Sequence, residues 1–121
     1  MTSITVHWNP WLTSHNKRKH WRAHRKLVEQ AHEEARLGWL LAGSPRWGRK
    51  VRVSVHRRGS RVMDTLNILD GLKPLVDAIF TSKGCGALPD DSPEWLELGS
   101  ISQEKCKRGD ECVIFSVEEI A

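Results

Sequence analysis

The feature that most restricts the fold is a change of period inside "KVRVSVHRRGSRVMDTLNILDGLKPLVDAIF". Val51, Val53 and Val55 alternate with Arg52 and Ser54, the two-residue period of a strand with one buried face. From Asp64 to Phe80 the spacing becomes helical. Leu66, Leu69, Leu72, Val76, Ile79 and Phe80 fall on one side, with Asn67, Asp70 and Asp77 on the other and Lys73 at the boundary. Pro74 lies inside that helix, where it lacks a backbone donor and crowds the preceding turn, so a kink or break is expected near residues 70–73.

The remaining segments follow from the same rules. "SITVHW" alternates and predicts a strand over residues 3–8, and "NPWLTSHNKRK" reads as a basic loop. Trp21, Val28, Ala31, Ala35 and Trp39 recur at helical spacing, which predicts a helix from about His20 to Ala42 that "GSPRWG" ends. "TSKGCGALPDDSP" is a loop. "EWLELGSISQEKC" and "ECVIFSVEEI" predict two closing strands, joined around "KRGDE", whose Gly109 suits a hairpin turn. The order β-α-β-α-β-β predicts an α+β fold, a mixed sheet packed by helices. A chain of 121 residues suits one such domain, residues 1–121.

Charge is segregated along the chain. Residues 1–63 carry 14 Lys+Arg against 3 Asp+Glu, and residues 64–121 carry 5 against 12, balances of +11 and −7 that sum to +4. This asymmetry points to a basic surface facing a polyanion, of which nucleic acid is the foremost. "NKRKHWRAHRK" is the densest basic segment, and it sets His20 and His24 one helical turn apart without the glutamate or third ligand that a zinc site needs. Trp21 reads as a core aromatic anchoring the first helix, in preference to a base-stacking platform; Trp8, Trp11 and Trp39 read as core or dimer contacts. No apolar run is long enough to cross a membrane. The opening "MTSITVHWNP" lacks the basic and apolar regions of a secretory leader. Three cysteines without a C-x-x-C pair indicate neither a disulfide framework nor a cysteine zinc site, so a cytoplasmic location is expected.

The acidic residues carry the chemistry. Asp64 stands where strand gives way to helix, a position that an N-cap also explains, and "PDDSP" holds Asp90 and Asp91 in what is also ordinary turn chemistry. Taken together with a basic first half, they suit a metal-dependent phosphodiesterase. Mg²⁺ takes a few carboxylate oxygens and keeps several waters, and arginines offset the repulsion between carboxylates and phosphates.

Three segments in order along the chain resemble the RusA family of Holliday junction resolvases, small dimeric endonucleases mostly of bacteria and their phages. "LTSHNKRKHWRAHRKLV" is similar to the family's N-x-x-x-H-W basic segment, "RVMDTLNILDGLKPLVDAIF" to its R-x-x-D-x-D-N…LK-x-x-x-D-x-L core, and "GALPDDSPEWLEL" to its G-x-x-x-D-D loop. The resemblance implies a homodimer in the cytoplasm of a bacterium or of a phage's host, acting on branched DNA, with Mg²⁺ and no small-molecule cofactor. It implies Asp64, Asp90 and Asp91 as metal ligands and Lys73 as an aid to catalysis, with Asn67 matching the core asparagine. Leu66 stands where the family has a second core aspartate, and Asp70, one turn further on, is the substitute ligand if the helix bends. Asn16, Lys17, Arg18, Lys19, His20, Arg22, Arg57, Arg58 and Arg61 are the candidate DNA contacts. A broader flap or fork nuclease, and a branched-DNA binder with little or no activity, are the alternative readings.

Overall fold

The computed structural model describes residues 1–14 and 21–120. The candidate DNA contacts Asn16, Lys17, Arg18, Lys19 and His20 lie outside the described residues. The fold is α+β. Strand β1 (Thr2–Val6) is followed by a short 3₁₀ helix (Pro10–Thr13), helix α1 (Trp21–Leu41), strand β2 (Val51–Gly59), helix α2 (Thr65–Phe80), and strands β3 (Leu96–Lys105) and β4 (Cys112–Glu119).

The four strands form one mixed sheet in the order β1-β4-β2-β3. β2 and β3 are parallel, as a strand–helix–strand crossover through α2 requires, while β4 runs antiparallel to both β1 and β2. The hairpin expected at Gly109 is therefore absent: β3 and β4 follow one another in sequence but lie on opposite sides of β2. Composition explains the exchange of places. β4 carries Cys112, Val113, Phe115 and Val117, all buried, which suits a central strand; β3 carries Gly99, Ser100, Ser102, Glu104 and Lys105, which suits an exposed edge. A one-residue bulge between the Val53–Leu98 and Val55–Ile101 pairs adds to the irregularity of that edge.

The core sits between the sheet and the two helices. Val51, Val53 and Val55 meet Val113, Phe115 and Val117 on one sheet face, covered by Ile68, Leu72, Leu75, Ile79 and Phe80 of α2 and by Ala31, Ala35 and Trp39 of α1. Helix α1 ends as predicted. Gly43 takes a positive φ of 95°, and Gly43 and Ser44 donate to the carbonyls of Leu40 and Trp39, closing the last turn. Helix α2 runs unbroken past Pro74, which is buried; the expected break is not there. Gly71 is needed in α2 because a Cβ at that position would strike the carbonyl of Pro10 in the 3₁₀ helix.

Two expectations about burial are overturned. Trp21 is 62% exposed and does not anchor α1 in the core. Leu66 is 72% exposed, although it belongs to the apolar series of α2. It lies roughly 160° around α2 from the fully buried Ile68, so it points away from the core that Ile68, Leu72, Leu75 and Ile79 face. Trp8 and Trp39 are core residues, as expected, but Trp11 is 40% exposed.

Candidate functional site

The loop from Ser60 to Asp64 is fixed by two side chains. Gln103 of β3 accepts from the Met63 backbone N–H at 2.9 Å and donates to the Met63 carbonyl at 2.8 Å, imitating a strand pairing. Arg57 of β2 donates to Gln103 Oε1 at 3.0 Å, to the Arg61 carbonyl, and at 3.5 Å to Asn9 Oδ1. Asp64 then caps α2, its Oδ1 accepting from Leu66 N–H at 3.2 Å. The capping role anticipated for Asp64 is thus present.

Arg57 is only 2% exposed. Sequence reading grouped Arg57, Arg58 and Arg61 as one basic cluster, and strand alternation splits it. Arg58 points to the outer sheet face and pairs with Glu104 at 2.9 Å, whereas Arg57 points inward. Burial pulls the Arg57 guanidinium below its usual value, offset by the charges of Cys106 and Glu111.

Two large clefts flank α2, and Lys73 and Asp91 line a smaller hollow of about 250 Å³ against it. The first, about 480 Å³, lies at its N-terminus and is lined by Trp11, Arg57, Arg61, Asp64, Asn67, Arg108 and Glu111 among others. The second, about 870 Å³, lies at its C-terminal half between α1 and the loop after α2. His32, Arg36, Arg46 and Lys83 line it together with Asp77 and Asp90. Next to that second cleft, Lys73 Nζ approaches Asp77 Oδ1 at 3.8 Å, and Asp91 lies against Lys73 and the apolar Leu72 and Val76. Burial, first, and then the charges of Asp77 and Asp90 push the Asp91 carboxyl above its ordinary value, with Lys73 acting in the opposite sense.

The structure therefore brings Lys73, Asp90 and Asp91 together and adds Asp77, which sequence reading left out of the site although its spacing from Lys73 is the ion-pair spacing of a helix. It does not bring Asp64 to them. Asp64 precedes Lys73 by nine residues, about 13 Å of helix rise, and it lines the other cleft. Asp70 is half-buried between them on a helix that does not break. Among the described residues no three His, Cys, Asp or Glu side chains are gathered so as to hold a metal ion. The expected ligand set of Asp64, Asp70, Asp90 and Asp91 is thus not assembled as one cage. Asp90 and Asp91 still offer only hard oxygen donors, and Mg²⁺ is commonly held by one or two carboxylates, waters and a substrate phosphate. These residues fit an ion that arrives with its substrate.

No protein-family model and no curated protein matches this sequence. Among the described residues no helix is long and apolar enough to cross a membrane.

Proposed function

We propose that this protein is a Mg²⁺-dependent endonuclease of branched DNA, four-way junctions foremost, acting as a homodimer in the manner the RusA resemblance implies. The observation that carries the reading is Lys73, 3.8 Å from Asp77 and lining one hollow with Asp91, whose carboxyl feels the charges of Asp77 and Asp90, beside a cleft whose lining residues include Asp77, Asp90, Arg36, Arg46 and Lys83. Carboxylates pressed together beside a cationic cleft suit a phosphodiester and a divalent cation better than either alone. Asp90 and Asp91 would hold the ion, which supplies an activated water and charge neutralisation at the phosphate. Lys73 places a positive charge where the phosphoryl oxygens gain negative charge. Arg36, Arg46 and Lys83 orient the strand by its phosphates. A two-fold dimer presents one such site to each of two strands.

Asp91→Asn tests this directly. Mg²⁺-dependent cleavage of a synthetic four-way junction is expected to fall by at least about 100-fold, with junction binding kept. The variant is also expected to be no less stable than wild type at neutral pH. A carboxyl whose value is raised in the fold destabilises the fold when ionised; that cost is present above the raised value and vanishes as pH falls through it. Unchanged cleavage would remove Asp91 from the site. One observation favours a second reading, a branched-DNA binder without activity: Asp64 is separated from Asp90 and Asp91, and Leu66 leaves the first cleft one carboxylate short of the family pattern. Wild-type protein that binds the junction but does not cut it at any Mg²⁺ concentration would establish that alternative.

A further inference from the structure

The cleft at the N-terminus of α2 holds its charges apart. Arg57, Arg61 and Arg108 share it with Asp64 and Glu111, yet among the described residues none of these three arginines has a carboxylate within ion-pair distance. The two carboxylates are occupied by backbone donors instead: Asp64 accepts from Leu66 N–H and Glu111 from Gly109 N–H at 2.7 Å. Arg57 is committed to Gln103, Asn9 and the Arg61 carbonyl.

Arg57 adds a second, independent sign. It is 2% exposed and, among the described residues, has no ion-pair partner and no hydrogen-bond partner for its Nε. A buried charge without a direct ion pair is costly, so an anion that approaches the cleft gains from a field that water does not screen. Trp11 is the third. It is the exposed aromatic of this cleft, and its backbone N–H donates to the same Asn9 Oδ1 that receives Arg57, which ties the ring's position to the buried charge. The volume of about 480 Å³ suits one small ligand.

We propose that this cleft takes one unpaired nucleotide of a DNA strand, its base stacked on Trp11 and its phosphate between Arg61 and Arg108 above the buried Arg57. The assignment rests on the DNA-binding part of the function proposed above and extends it: the cleft reads the unpaired nucleotides that a branch point exposes, while Asp90, Asp91 and Lys73 lie at the far half of the helix. Asp64 and Glu111 face the base, whose amino and ring N–H groups donate, and keep a bare phosphate from being the best occupant.

The test is the affinity of the full chain for a fluorescein-labelled single-stranded decanucleotide, followed by anisotropy in EDTA. Trp11→Ala is expected to weaken binding about 10-fold, with Trp11→Phe close to wild type, because base–aromatic stacking needs a ring and not a tryptophan. The double variant Arg61→Gln/Arg108→Gln is expected to lower the salt slope by about 1.4. Unlabelled deoxyadenosine monophosphate should compete better than deoxyadenosine or inorganic phosphate. Full affinity in Trp11→Ala overturns the proposal, as does equal loss in Trp11→Phe and Trp11→Ala, which would make Trp11 structural. Phosphate competing as well as the nucleotide overturns it too, leaving a bare anion site. Junction cleavage by the wild type in Mg²⁺, scored in parallel, separates the two readings. An inactive protein whose strand binding depends on Trp11 keeps the cleft and ends the nuclease reading. An active one indifferent to Trp11 does the reverse.

Discussion

Neighbouring arginines on one strand meet opposite fates. On the outer face of the sheet, Arg52 of β2 bonds Glu97 at 2.6 Å and Glu118 at 3.3 Å, and Arg58 bonds Glu104, which also accepts from His56 at 3.1 Å if that ring carries its proton on Nε2. On the inner face Arg57, one residue from Arg58, is sealed from solvent and has hydrogen bonds but, among the described residues, no carboxylate partner. The outer pairs are exposed, cross-strand and screened by water; they help hold the edge strand in register and contribute little each. Arg57 cannot be justified in the same way. A side chain that the fold alone selected at that position would be apolar like Val51, Val53 and Val55, which share its face. The difference teaches that charge on this strand serves two ends, pairing outside and a cleft inside.

The largest effect that sharpens the comparison is at Arg57. Arg57→Ala is expected to lower stability by about 3 kcal/mol, since it opens a cavity and leaves the Arg61 carbonyl and Gln103 without their donor. Arg57→Met refills the space without the charge and should come within about 1 kcal/mol of wild type, because a buried unpaired charge is replaced by packing. Urea melts of both variants check this. If methionine is as damaging as alanine, the guanidinium is a structural brace and the contrast between the two faces fails.

Smaller effects belong to the outer face. Arg58→Ala is expected to shift the melting temperature by about 2 °C or less, and the shift should shrink as salt rises, as exposed pairs do. A large, salt-independent loss would mean that the outer pairs hold the sheet together. Smallest of all is Leu66→Asp, which changes an exposed residue in the first turn of α2. It should cost no more than about 0.5 kcal/mol, because a carboxylate there is favoured by the helix dipole. The leucine's burial energy is not at stake. Whether that substitution also gives the N-terminal cleft a working pair with Asp64 is read from junction cleavage on the same sample.

Much of the fold could be read directly. The change of period at Asp64, the helical spacing of Ala31, Ala35 and Trp39, and the β-branched runs placed all four strands and both helices to within a few residues, because each local pattern buries one face of one element. The grouping of "PDDSP" with Lys73 comes from the family resemblance and not from spacing, and Asp77 is left out of it because it reads as an ordinary solvent-facing helix position. Arg108 was missed because it sits in a turn that appeared to close a hairpin.

What the sequence by itself determined is the set of elements, their order, the cap at Asp64 and the segregation of charge, all consequences of neighbours along the chain. What only the tertiary structure decided is which strands pair and which charges meet. Local periodicity carries no information on whether β4 joins β3 or slips between β1 and β2; the apolar content of β4 and the crossover through α2 resolve it once the whole core must close. The exposure of Trp21 and Leu66 follows from which side of each helix meets the core, a choice that a stretch with apolar residues on several sides leaves open. The division of Asp64 from Asp90 and Asp91 has a similar cause: α2 continues through Pro74 as one helix, and its length keeps residues at its two ends apart.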